Sequence, residues 1–162
     1  MADPASPQTP RAFPAPPRVA VVVSRYNIEI TEALCAGALA EYRRWFSTDA
    51  PVETFWAPGS FEVPLLADHA ARDGRYQAVV ALGCVIRGET THDQHINSAV
   101  SNQIMRSACE TGVPIGFGIL TVETPEQARA RAGGPKGNKG AEAMSAALDV
   151  AATLASLRTR SF

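Results

Sequence analysis

Val19-Ala20-Val21-Val22-Val23 is the stretch on which the fold turns. Five small or β-branched apolar residues in a row, without polar alternation, suit a short strand buried on both faces. Such a strand belongs in a parallel sheet with helices above and below it. It breaks at Ser24-Arg25-Tyr26-Asn27, a polar turn, and Asn27 reads as the N-cap of a helix running to about Phe46. Ile30, Leu34, Ala38 and Tyr42 recur along one face of that helix.

The same alternation continues along the chain. Val52 to Trp56 reads as a second strand, followed by the turn Ala57-Pro58-Gly59-Ser60 and a short helix near Glu62 to Arg72. Gln77 to Gly83 reads as a third strand. A polar loop, Arg87 to Thr91, then leads to a helix with Ile96, Val100, Ile104 and Ala108 four residues apart. Gly112-Val113-Pro114 ends that helix before a fourth strand, Ile115 to Leu120. A short helix over about 125–130, a Gly/Lys loop over 133–140 and an Ala-rich helix over about 139–157 complete the pattern. In the last helix Met144, Leu148, Ala151 and Leu154 or Ala155 face inward. Strands alternating with helices predict an α/β fold, a four-stranded parallel sheet covered on both faces. Ligands in such folds bind beyond the carboxyl ends of the strands, so the candidate site loops are 24–27, 57–62, 84–92 and 117–123.

Composition narrows the function classes. The chain has 162 residues, 46% hydrophobic and 19% charged, which fits one globular domain over 18–162. Residues 1–17 hold six of the twelve prolines and read as a flexible tail. The net charge of -1 offers no basic field for nucleic acid, so an anionic ligand needs local groups. No apolar run is long enough to span a bilayer, and the first residues do not read as a secretory signal. Cys35, Cys84 and Cys109 are scattered and odd in number, as expected of reduced thiols in a cytoplasmic protein.

Several segments carry chemistry. Thr91-His92-Asp93-Gln94 fits a capping box, with Thr91 as N-cap and Gln94 reaching back. Gly88-Glu89-Thr90 then precedes a helix N-terminus, whose free N–H groups and dipole favour an anion; an ordinary capped helix reads the same way. His92 falls in the first turn, and imidazole is the side chain suited to moving protons near neutral pH; a solvated surface histidine fits equally. His92 and His95 are three apart, but with His69 on another helix and no cysteine at suitable spacing, no metal site is expected. Arg129 to Gly140, with glycines beside Arg131, Lys136 and Lys139, reads either as a phosphate-wrapping loop or as a mobile surface loop, with Asn138 capping the last helix. Tyr26, Phe61 and Phe117 stand at strand-end loops, where their rings stack a planar heterocycle or merely fill the core. Glu62, beside Phe61, reads as an acceptor for ligand hydroxyls or as a helix-start acid.

Five stretches together resemble the lumazine synthase family. They are Val23 to Asn27, Pro58 to Pro64, Ala81 to His92, Phe117 to Thr121, and Arg131-Ala132-Gly133 with Gly137 to Gly140. The resemblance implies a flavodoxin-like three-layer sandwich. It implies the condensation of 5-amino-6-(D-ribitylamino)uracil with 3,4-dihydroxy-2-butanone 4-phosphate to 6,7-dimethyl-8-ribityllumazine, a penultimate step toward riboflavin, with release of phosphate and water and without a cofactor. By the same resemblance the pyrimidine stacks on Tyr26, and Ser60, Phe61, Glu62, Cys84, Val85 and Ile86 surround the ring and ribityl chain. Phe117 comes from a neighbouring subunit. Glu89, Thr90 and Arg131 hold the butanone phosphate, Lys139 and Glu142 support them, and His92 moves protons. Pentamers, shells of twelve pentamers and a riboflavin synthase partner are implied as well, and the absence of an insertion over 131–140 favours a shell.

Three departures from the family pattern stand out. Tyr26 occupies a position where phenylalanine is usual, and Asp93-Gln94-His95-Ile96 replaces an aromatic-rich continuation. Lys136 is displaced by one position and is not expected to be a ligand. Two other classes fit the residues less well: a non-catalytic lumazine or flavin carrier, which would need neither His92 nor Arg131, and a flavodoxin-like module, which would hold a redox-active FMN.

Overall fold

A computed structural model describes residues 13–159. Its centre is β1 (Val19–Ser24), every residue of which is buried. β1 pairs in parallel with β2 (Val52–Ala57) on one side and β3 (Ala78–Ile86) on the other, and β4 (Ile115–Val122) adds beyond β3, giving the order β2-β1-β3-β4. The register sets Val21 beside Thr54 and Val80, so the apolar run is enclosed laterally as well as from both faces.

Period-two alternation then assigns the layers. Val19, Val21 and Val23 point with Val80 and Leu82 toward α1 (Ile28–Phe46) and α5 (Lys139–Thr159). Ala20 and Val22 point with Val79 and Ala81 toward α2 (Val63–Arg72) and α3 (His92–Thr111). The expected stripe Ile30, Leu34, Ala38 and Tyr42 is buried, as are Met144, Leu148 and Ala151 of α5, while Leu154 and Ala155 are half-buried. The fold is the three-layer α/β sandwich with a four-stranded parallel sheet that the sequence predicts. At the tightest crossing, α1 meets α5 backbone to backbone: a Cβ on Gly140 would lie 2.0 Å from the Leu34 carbonyl oxygen.

Several local expectations need correction. β3 continues to Ile86, so Cys84, Val85 and Ile86 end a strand and do not lie in a loop. The Gly/Lys loop is a small hairpin of β5 (Ala132–Gly134) and β6 (Gly137–Asn138), entered from α4 (Pro125–Arg131). Asn27 does not cap α1 with its side chain. It sits at φ 57, ψ 49, a left-handed conformation that asparagine tolerates, and its amide is used elsewhere. Thr91 makes no side-chain cap either, so the expected capping box is not formed. The caps that do form are Thr124, whose hydroxyl accepts from Gln127 N at 3.3 Å, and Asn138, as expected. Asn138 Oδ1 accepts from the Gly140 and Ala141 amides at 2.9 and 3.1 Å, and its Nδ2 donates to Ala33 O on α1 at 2.9 Å.

Of the proline-rich stretch read as a tail, residues 1–12 lie outside the described residues, as do residues 160–162 at the other end. Phe13 packs on Phe46 with ring centroids 6.0 Å apart, and Pro17 O accepts the Tyr42 hydroxyl at 2.6 Å, so this part of the stretch is fastened to α1. Among the described residues no helix is long and apolar enough to cross a membrane.

Candidate active site

The chain leaves β1 and β3 toward opposite faces of the sheet, and this divergence opens a crevice beyond their carboxyl ends. A cavity of about 350 Å³ lies there. Three loops make it, and each is fixed by identifiable contacts. Arg25 N donates to Ala57 O at 2.8 Å, binding the loop after β1 to the end of β2. Ser24 Oγ accepts from Tyr26 N at 3.2 Å. The left-handed turn at Asn27 aims its Nδ2 across the crevice to Cys84 O, 2.9 Å away, tying the start of α1 to the end of β3.

The walls follow. Tyr26 and Phe61 present 71% and 61% of their surface, a large exposure for aromatic rings, and flank the mouth. Cys84, Val85 and Ile86 make the strand-end floor, with Ser60 and Glu62 beside them. Ser60 is buried and its Oγ has no hydrogen-bond partner among the described residues. A Cβ on Gly83 would stand 2.6 Å from that oxygen, so the loop after β2 settles against β3 only because residue 83 lacks a side chain. Gly88, Thr90, His92, Asp93 and Ile96, from the loop before α3 and its first turns, form the remaining wall. The helix dipole and free N–H groups at this end favour a bound anion.

Burial pushes the Cys84 thiol up to about 11, so it is a neutral, apolar part of the floor with no nucleophilic thiolate near pH 7. Among the described residues the charged side chains lining the cavity are Glu62 and Asp93, both acidic, and no Lys or Arg lines it. Nearby Arg87 turns instead to Glu123, 3.5 Å away.

The cavity thus gathers Tyr26, Ser60, Phe61, Glu62, Cys84, Val85, Ile86, Thr90 and His92 of the residues expected from sequence. It does not gather Glu89, Phe117, Arg131, Lys139 or Glu142. Phe117 projects from the edge strand β4, 49% exposed. Arg131, at the end of α4, donates to Gln127 O at 3.1 Å, and Lys139 pairs with Glu142 at 2.6 Å. Sequence reasoning missed Asn27 as a tie across the crevice and Gly83 as the seat of Ser60. An asparagine directly after a strand, where a left-handed turn is needed, was the available signal for the first. Among the described residues no cluster of three His, Cys, Asp or Glu side chains is placed to hold a metal ion.

A family model described as 6,7-dimethyl-8-ribityllumazine synthase matches residues 16–155, the whole sheet and the helices that position the crevice. The chain belongs to that family. It is 44% identical over 145 residues to 6,7-dimethyl-8-ribityllumazine synthase 1 of Caulobacter vibrioides, covering 90% of this chain and 95% of that protein. It is 46% identical over 133 residues to the 6,7-dimethyl-8-ribityllumazine synthase of Thermus thermophilus, covering 82% and 85% of the two chains.

Proposed function

We propose that this protein is a transferase that condenses 5-amino-6-(D-ribitylamino)uracil with 3,4-dihydroxy-2-butanone 4-phosphate to give 6,7-dimethyl-8-ribityllumazine, phosphate and water. The observation that carries the reading is the cavity itself. Two exposed rings, a carboxylate, a histidine and a helix N-terminus converge there in a chain of this family.

In this reading Tyr26 and Phe61 hold the flat pyrimidine, whose burial between rings is favourable through apolar area and stacking. Glu62 accepts hydrogen bonds from ribityl hydroxyls, and Cys84 to Ile86 supply backbone groups at the strand end. The phosphate lies at the loop before α3, against Glu89 and Thr90 amides. The substrate amine attacks the ketone; loss of water leaves an imine, elimination of phosphate follows, and the resulting carbonyl closes on the second amine with loss of water. Each step moves a proton, and His92 is the group beside the cavity able to relay it. Holding two substrates in register supplies a further large share of the acceleration.

A dianionic phosphate beside two carboxylates needs a cation, and no Lys or Arg among the described residues lines the cavity. Arg131, Lys139 and Glu142, with Phe117, therefore act on the site of an adjoining subunit. That arrangement explains why an aromatic ring on an edge strand is left half exposed. A pentamer supplies the required repeated interface, twelve pentamers close a shell, and riboflavin synthase is the partner that consumes the product, all in the cytoplasm. The domain responsible runs from Arg18 onward as one unit.

The test is optical. Purified protein mixed with both substrates should generate the fluorescent lumazine well above the uncatalysed rate. Product formation no faster than the protein-free control would reject the assignment.

A further inference from the structure

Asp93 is the second residue of α3 and lines the cavity beside His92, half-buried. Other acids on α2 and α3 are engaged: Asp68 accepts from Arg72 at 2.9 Å and Ser107 at 2.6 Å, and Glu110, at the far end of α3, accepts from Arg106 at 2.7 Å and Arg72 at 2.9 Å. The Asp93 carboxylate has no hydrogen-bond or ion-pair partner among the described residues. Its charge faces a cavity whose other charged side chain is Glu62, with Arg87 drawn away to Glu123. It also occupies the helix start, the place where the dipole and free N–H groups favour an anion. A phosphate arriving there meets a fixed negative charge already installed.

We propose that Asp93 is a specificity-determining residue of the phosphate half of the site: its carboxylate holds down the affinity for phosphate and so speeds departure of the phosphate product. The inference rests on the assignment of a phosphorylated substrate to this cavity. No covalent step is involved; the carboxylate acts through charge alone. It makes the site depend on cations delivered from elsewhere, and it disfavours retention of free phosphate once the ester bond has broken.

The experiment uses the full chain in its assembled form, with Asp93→Asn as a neutral near-isostere and Asp93→Ser as a second, smaller replacement. Inorganic phosphate is titrated calorimetrically, and KM is measured separately for each substrate. Removal of one negative charge from the cavity lining should tighten phosphate binding and lower the KM for the butanone phosphate by about fivefold to tenfold. The KM for the ribitylaminouracil should stay within about twofold in both variants. Unchanged phosphate affinity in both variants overturns the proposal, as does a lower Tm with no shift in phosphate affinity, the mark of a merely helix-starting acid. A raised KM confined to the ribitylaminouracil also overturns it, because Asp93 would then be a hydrogen-bond acceptor for that substrate. The calorimetric arm needs no turnover. Tighter phosphate binding without lumazine formation upholds Asp93 while rejecting the substrate assignment, and lumazine formation with unchanged phosphate affinity does the reverse.

Discussion

His92, Cys84 and Arg131 make three different claims on the chemistry, and each can be removed alone. Replacing His92 by alanine should lower kcat by about 10²-fold, the usual weight of a proton-transferring side chain, while leaving assembly intact. Steady-state kinetics beside sedimentation of the same sample would check it; a rate equal to the parent would take His92 out of the mechanism. Cys84→Ala should keep activity within about threefold, because a thiol held near 11 is wall and not nucleophile. The same argument predicts that maleimide at pH 7 labels the exposed Cys109 well before Cys84, as read by mass spectrometry. For Arg131→Ala, loss of a charge-assisted bond to phosphate should raise the KM for the butanone phosphate about tenfold or more. Unchanged dependence on that substrate would count against it. Tyr26, Phe61, Glu62 and His92 were legible because they stand in strand-end loops or, for His92, in the first turn of the helix that follows one; Asp93 was not singled out as part of the site. What was not legible depended on contacts between loops. Gly83 reads as an ordinary strand residue until the Ser60 hydroxyl is seen resting where its Cβ would be.

The helices and long strands announce themselves through period and length, and their bounds differ from expectation by a residue or two at most ends. The exceptions share a cause. β3 extends through Cys84-Val85-Ile86 because β4 continues beside it, with Ile86 opposite Val122, and pairing of that kind is invisible in a single strand's own residues. The β5–β6 hairpin has strands of three and two residues, too short for any alternation to register, and glycines at φ 111 and 76 shape it. Helix starts mislead in the same way. Thr91 and Asn27 have the right side chains for caps, but tertiary ties decide whether they are used, and Asn27 spends its amide on Cys84 O. Asn138 shows the opposite outcome. Its side chain satisfies two amides of α5 and one carbonyl of α1, so Asn138→Ala should destabilise by about 1–2 kcal/mol and lower Tm by about 2–8 °C. Differential scanning calorimetry would read this directly, and an unchanged Tm would show the clamp to be energetically idle.

For the molecule entire, buried thiols and phenols set an alkaline limit, Cys84 and Tyr42 foremost among them and Cys35 and Tyr76 raised in the same direction. Burial raises Cys84 from 9.0 to about 11 and Tyr42 from 10.0 to about 12. A group whose folded value lies above its unfolded one stabilises fully below the unfolded value, and the contribution disappears as pH climbs through the folded one. Stability should therefore decline between about pH 9 and 12, and Tyr42→Phe, which also gives up the bond to Pro17 O, should flatten the upper part of that decline. Denaturant melts at stepped pH would test the slope. Sedimentation velocity addresses the proposed assembly; a boundary at the mass of sixty chains is expected, and a lone pentamer at working concentration would remove the shell. The clamp at Asn138 also has a meaning in time. It joins residues 105 apart, so during synthesis the groove on α1 around Leu34 and Ala38 stays uncovered until nearly the last helix has emerged. A nascent chain lacking α5 leaves β4 uncovered at Gly116 and Gly118, against which Ala143 and Ala147 pack, and apolar surface exposed in this way is prone to stick to another chain. The closing helix is thus also the event that ends the chain's exposure to its neighbours on the polysome.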